Sequence, residues 1–306
     1  LIDSYLAIAA DPIHPEGNVI RHLTIRHGDS EATGDVAVEG EYEIGMQDQA
    51  FMGTESGMAI PTQDGGIELH ISTQWLHSDQ EQVATALNMP KELVRVTLSG
   101  VGGAFGGRED VSMHVHLCML ALHTGKPVKM IYDRNESFLG HVHRHPAKVW
   151  FRHHANNDGA LVNVEAKIIM DGGAYASTTS AVLANACCFS IGPYKVQNAF
   201  VEGWGVRTNN PPCGAMRGFG NVQTCFAAEA QMDKLAEKLN LDPVAFRLIN
   251  ALEPGDTIIT GQEITGAAPV RKVLTSLADY PLPAFPEDNI LERPGGTGRT
   301  SDKRHI

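Results

Sequence analysis

Apolar and polar residues follow a period of two in some stretches and a helical period in others, and these stretches define most of the expected elements. Residues 19–25 read as a strand inside an otherwise polar, Pro- and Gly-punctuated opening that runs to about Gly40. Short alternating segments follow as far as Ser72, and Ile67-Glu-Leu-His-Ile71 has the spacing of a half-buried strand. Ser78-Asp-Gln-Glu81 has the form of a capping box. It predicts a short helix through Val83, Ala86 and Leu87 that stops before Pro90.

Val94, Val96 and Leu98 alternate as the next strand. Gly100-Val-Gly-Gly-Ala-Phe-Gly-Gly107 then leads to a mostly buried helix from about Asp110 to Leu122, closed by Gly125 and Pro127. Residues 128–132, 150–153 and 161–170 read as strands, the last two joined by a hairpin turn at Asn157-Asp-Gly159. A second glycine cluster, Arg217-Gly-Phe-Gly220, precedes a long helix with Cys225, Ala228, Met232, Leu235 and Leu239 on one face. Pro243 opens another helix, through about Leu252. From Pro281 onward the periodicity is lost, so that stretch is expected to be extended or disordered.

Short strands and helices without strict β–α alternation predict an α+β fold, mixed-sheet layers with helices. The expected organisation is a linker or edge segment over 1–40, one domain over 41–280 that could divide into two subdomains, and a linker over 281–306. No solenoid-type repeat is present.

Charge and composition narrow the functions. The chain has 306 residues, 24 basic and 36 acidic, for a net charge of -12, which opposes nucleic acid or an anionic membrane as the main partner. No apolar run approaches the ~20 residues of a membrane helix. The five cysteines, Cys118, Cys187, Cys188, Cys213 and Cys225, form no disulfide framework and no C-x-x-C pair, so a reduced, cytoplasmic setting is expected. They also lack the spacing of a plant-type iron–sulfur site. The chain opens without a methionine and without a signal peptide, and it reads as part of a trimmed or split polypeptide.

A strand, a glycine-rich loop and a helix in succession gather backbone N–H groups at one point and can hold an anion. Residues 100–107 fit neither the dinucleotide pattern, since Phe105 stands at the third glycine, nor a P-loop, since Arg108-Glu109 replaces Lys-Ser/Thr. Taken alone, the loop reads equally well as a tight structural turn.

Four motifs in order change the picture: Gln47-Asp-Gln-Ala-Phe-Met-Gly-Thr-Glu55, Ser72-Thr-Gln74, Phe105-Gly-Gly-Arg-Glu109 and Pro211-Pro-Cys-Gly-Ala-Met-Arg-Gly-Phe-Gly-Asn-Val-Gln223. Together they resemble the molybdenum-binding part of the xanthine dehydrogenase and aldehyde oxidase family, and their wording is nearest to bacterial enzymes of the xanthine dehydrogenase type. The resemblance spans most of residues 18–265. It implies the first molybdopterin-binding domain of a molybdenum hydroxylase, which inserts oxygen from water into a purine or related N-heterocycle.

By position, the resemblance places Gln74 near the oxygen ligands of the molybdenum. It turns the backbone of Phe105 and Gly106 toward the metal centre and brings the backbone of Arg217 from the other side. It assigns Glu109 and Phe219 to the substrate. An arginine that grips the purine in animal members is matched here by Asn185, which weakens the case for xanthine itself. The family's base glutamate and its pterin-binding segment belong to a later domain, so no catalytic residue is expected in this chain and it should not turn over alone. The implied cofactor is molybdenum-molybdopterin, with 2Fe-2S clusters and FAD on partner domains or subunits. The implied partners are a second molybdopterin-binding domain and those electron-transfer subunits.

Each residue also has a plainer role. Glu109 at a helix start would complement the helix dipole; Gln74 would be a strand-end polar residue, Phe105 and Phe219 anchoring aromatics, and Arg217 an ion-pair partner. A rival from another class is a non-catalytic fragment or partner-binding module of the same ancestry with no cofactor. His141-Val-His-Arg-His145 tempts a metal reading, even a metallohydrolase. With no carboxylate or cysteine in view to complete it, and Gly140 and Pro146 flanking it, it is expected to be structural and to lie away from the glycine loops. His114 and His116 should point to different sides of a helix.

Overall fold

The computed structural model describes residues 8–278; the expected linker over 281–306 lies outside them. Two sheets carry the fold. The larger is built from β1 (Val19–His27), β2 (Val36–Ile44), β7 (Ala147–Ala155), β8 (Leu161–Asp171) and β9 (Asn198–Val206), in the order β1-β9-β8-β7-β2. β8 and β9 run parallel, and the other neighbours antiparallel. The smaller sheet, β5 (Val94–Leu98), β4 (Ile67–Ile71), β3 (Ser56–Pro61) and β6 (Val128–Ile131) in that spatial order, is inserted in sequence between β2 and β7.

Helices cover each sheet, which is the expected α+β class. α1 (Leu76–Leu87) packs on β5 and α2 (His114–Thr124) on β3, closing a core of Ile67, Leu69, Val83 and Leu117. α3 (Arg134–Gly140) leads back to the larger sheet. There, α4 (Thr179–Cys188) lies against β1 and β9, and α5 (Asn221–Lys238) against β2 and β7. They bury Phe151, Val164, Ile168, Leu183 and Met232. α6 (Pro243–Asn250) and α7 (Val270–Ala278) follow.

Several expectations need correcting. Residues 19–44 supply both edge strands of the larger sheet, and a boundary at 41 would cut β2. The capping box does not form. α1 begins at Leu76, with Trp75 N–H donating to Thr73 Oγ1 (3.0 Å), while Asp79 turns inward with Oδ2 3.4 Å from His114 Nε2. Because the helix starts at Leu76, Ser78 already lies inside its first turn and cannot cap it. α2 begins at His114, so Glu109 precedes the helix by a turn and a half of irregular backbone and does not sit on its dipole. On α5 Ala228, Met232 and Leu235 are buried as expected, with Thr224, Ala227 and Gln231 beside them, while Cys225 is half-buried.

β9 was not legible because Gly203 and Gly205 weaken its strand pattern. Those glycines set the distance of α4: a Cβ at Gly203 would stand 2.5 Å from Cys187 Sγ. Only a bare backbone lets α4 come that close, and α4 carries Asn185.

Candidate functional site

The two glycine loops meet edge to edge. Arg217 N–H donates to Phe105 O (2.8 Å), and a Cβ on Gly106 would lie 2.6 Å from Ala215 O. Phe105, Gly106, Gly218 and Phe219 all have positive φ, at +53°, +101°, +91° and +45°. Two non-glycine residues in that region mark stored strain that the surrounding bonds must hold.

Gln74 sits just past the end of β4 and clamps the first loop. Its N–H donates to Arg108 O (2.9 Å), and its Oε1 accepts from Gly106 N–H (3.0 Å) and Arg108 N–H (3.3 Å). The carbonyl end is thus fully engaged, so the amide Nε2 is the free donor, with Glu109 Oε1 at 3.5 Å as its weak partner. The structure therefore brings Gln74, Phe105, Gly106, Glu109, Arg217 and Phe219 into one linked neighbourhood. Asn185 also reaches it: its Nδ2 donates to Phe219 O (2.9 Å). It braces the loop backbone.

Glu109 is partly buried, and its Oε2 finds no hydrogen-bond partner. Desolvation, then the neighbouring Asp110, pushes its carboxyl above the ordinary range. With no helix terminus beneath it, nothing opposes the rise. Phe105 remains 48% exposed, a large aromatic on an open surface.

Beneath the loops lies a layer that motif reading did not single out. Arg108 is buried, its guanidinium donating to the carbonyls of Val101, Gly53 and Thr54 and lying 4.5 Å over the Phe51 ring. Gln49 Nε2 donates to Ala215 O (2.7 Å), and Arg144 Nη2 to Arg217 O (2.9 Å) while its Nε reaches Gln47 Oε1 (2.8 Å). Both loops are held from below by residues 47–54 and 144. Residues 47–54 had only their place in the first of the four motifs as a sequence signal, and Arg144 lay in none of the four.

The histidine run departs from expectation. His141 and His143 face Asp48, each Nε2 3.2 Å from Asp48 Oδ2, so a carboxylate from far upstream does complete the group. His141 Nε2 also lies 3.1 Å from Gln49 Oε1, which makes the group part of the layer under the loops and not remote from them. His145 turns away to Thr179 Oγ1 (2.8 Å). His114 is buried and His116 exposed, on different sides of α2 as expected.

The neighbourhood fits a metal-oxo cofactor on its own evidence. It combines a Gln74 amide with only one weak partner, loops too close for a side chain at Gly106, and a Glu109 carboxyl with an orphan oxygen. Such a surface offers hydrogen bonds to oxygen ligands without contributing a direct protein ligand.

Comparison with known proteins agrees. The family model of the molybdopterin cofactor-binding domain matches residues 13–251. The chain is 34% identical over 292 residues to a probable xanthine dehydrogenase subunit of Bacillus subtilis, covering 94% of this chain and 39% of that protein. It is 37% identical over 253 residues to the nicotinate dehydrogenase large molybdopterin subunit of Eubacterium barkeri, covering 82% and 60%. Among solved structures, the aldehyde oxidoreductase of Desulfovibrio gigas superposes with a TM-score of 0.86 at 28% identity, over 90% of this chain and 31% of that one. The chain thus spans between 31% and 60% of the length of these relatives.

Proposed function

We infer the role of the chain from one premise: it belongs to the molybdopterin cofactor-binding domain family. Within the xanthine dehydrogenase and aldehyde oxidase kind of that family, it forms one wall of the active site of a molybdenum hydroxylase acting on a purine or related N-heterocycle. The observation that carries this reading is the convergence of Gln74 and the two glycine loops through the Gln74–Gly106 and Phe105–Arg217 hydrogen bonds.

When bound, the molybdenum-molybdopterin group supplies two-electron oxidation with oxygen from water, the hard chemistry of the reaction. The chain's own residues position and recognise. Gln74 Nε2 would offer a hydrogen-bond donor to oxygen ligands of the bound group, and the engaged Oε1 keeps the amide from flipping. Phe105, Gly106 and Arg217 present backbone. Phe219 offers a ring face to a flat substrate. Glu109, whose carboxyl is pushed upward by desolvation, can accept from or donate to a ring nitrogen or carbonyl according to its protonation. Asn185 spends its amide on Phe219 O, which favours a general N-heterocycle over xanthine. A second molybdopterin-binding region and subunits with 2Fe-2S clusters and FAD would complete the enzyme in the cytoplasm. No described helix is long and apolar enough to cross a membrane.

The test is molybdenum content and turnover of the assembled enzyme. About one molybdenum per chain is expected. Gln74→Ala should cut kcat by roughly 10²-fold, the scale of one lost preorganised donor. An assembly free of molybdenum would favour the partner-binding module.

A further inference from the structure

We propose that Asp48, His141 and His143 form a second metal site in this chain, separate from the molybdenum centre and suited to zinc or a similar borderline divalent ion. The three ligand atoms lie within 4.8 Å of one another. Asp48 Oδ2 stands 3.2 Å from both His141 Nε2 and His143 Nε2. A tetrahedral zinc with bonds of about 2.0–2.1 Å sets neighbouring ligand atoms about 3.3 Å apart, so two edges of the tetrahedron are already in place. The imidazoles stack with centroids 5.2 Å apart and planes 18° from parallel, so a ring must turn on its side-chain torsions for both in-plane lone pairs to meet one ion.

The polar inventory around that point has too many acceptors. Gln49 Oε1 (3.1 Å from His141 Nε2) and Phe138 O (2.9 Å from His143 Nε2) join Asp48 there. Asp48 Oδ2 is buried and makes no well-formed hydrogen bond. A divalent cation would balance that excess of acceptors.

The outer partners are those of a metal-bound histidine. His141 Nδ1 faces Ser137 O and lies 3.1 Å from Glu55 Oε1, a carboxylate only 5% exposed. That contact fixes the tautomer that leaves Nε2 free to bind, as in a carboxylate–histidine–metal relay. Two imidazoles and one carboxylate select zinc-like ions over calcium or magnesium, which prefer oxygen alone. His141 is almost fully buried while Asp48 and His143 are partly exposed, so an ion can enter from that side and keep a water as fourth ligand.

The role is structural. Gln49, next to Asp48, holds Ala215, and Arg144, next to His143, holds Arg217 O. A metal here pins both supports of the second glycine loop.

The test uses the full chain stripped with a chelator, then titrated with Zn²⁺ and with Co²⁺ as a spectroscopic probe. One equivalent should bind, with the visible bands of tetrahedral cobalt. Asp48→Asn and His143→Asn should each weaken binding at least ~100-fold, and Glu55→Gln by ~10–100-fold, the range for an outer partner. A folded wild-type chain that takes up neither ion, or binds only Ca²⁺, overturns the proposal whatever the variants do. So does uptake that survives both ligand variants unchanged.

Discussion

Gly106 shows how little freedom single residues have in this site. Its φ of +101° and the 2.6 Å approach of Ala215 O leave no room for a Cβ, so Gly106→Ala must strain the backbone and separate the loops. The expected loss is about 1–3 kcal/mol of stability, read as a lower midpoint in urea. An unchanged midpoint would mean the loops are not in contact. Glu109 was readable as a site residue only through its motif, because the residues around it favoured the plain role on a helix dipole. The structure removes that role by starting α2 at His114. Asp48 was harder to read, since nothing in a linear pattern links a carboxylate in one loop to histidines near another.

At the level of elements, the strands with clean alternation were the most legible. β4 and β5 fall where the period of two puts them, and the hairpin at Asn157-Asp-Gly159 joins β7 to β8. β2 and β9 were missed because interior glycines break their pattern, and the cap expected at Ser78 fails because the helix already begins at Leu76. β7 also carries a pH liability. His153 is fully buried, and desolvation drives its pKa down to about 3. The unfolded chain binds this proton near pH 6.5 and the native chain does not, so stability falls as pH drops from about 6.5 toward 3. One proton corresponds to about 1.4 kcal/mol per pH unit. His153→Leu should flatten the stability profile by roughly that slope between pH 6 and 4, measured by urea unfolding. An identical slope would show that the ring is not held neutral.

At the scale of the molecule, the class of fold was legible because local periodicities add up to α+β layers whatever their order. The insertion of one sheet within the connections of the other was not, because strand order is decided by long-range pairing such as β1 with β9. That arrangement places Gln74, at the end of the small sheet, against loops that run from the small sheet to α2 and from the large sheet to α5. The site therefore lies at the join of the two layers, and its substrate specificity is the claim that reaches furthest.

The most direct test is kcat/KM of the assembled enzyme for an N-heterocycle and for a simple aromatic aldehyde, in wild type and Glu109→Ala, with molybdenum content measured in each. Leaving the ring's polar group without its Glu109 partner, at about 1–3 kcal/mol, predicts a fall of roughly one to two orders of magnitude on the heterocycle. The aldehyde rate should change little, and the molybdenum content should not change. An equal loss on both substrates would show that Glu109 serves the structure of the loop and not the recognition of the ring.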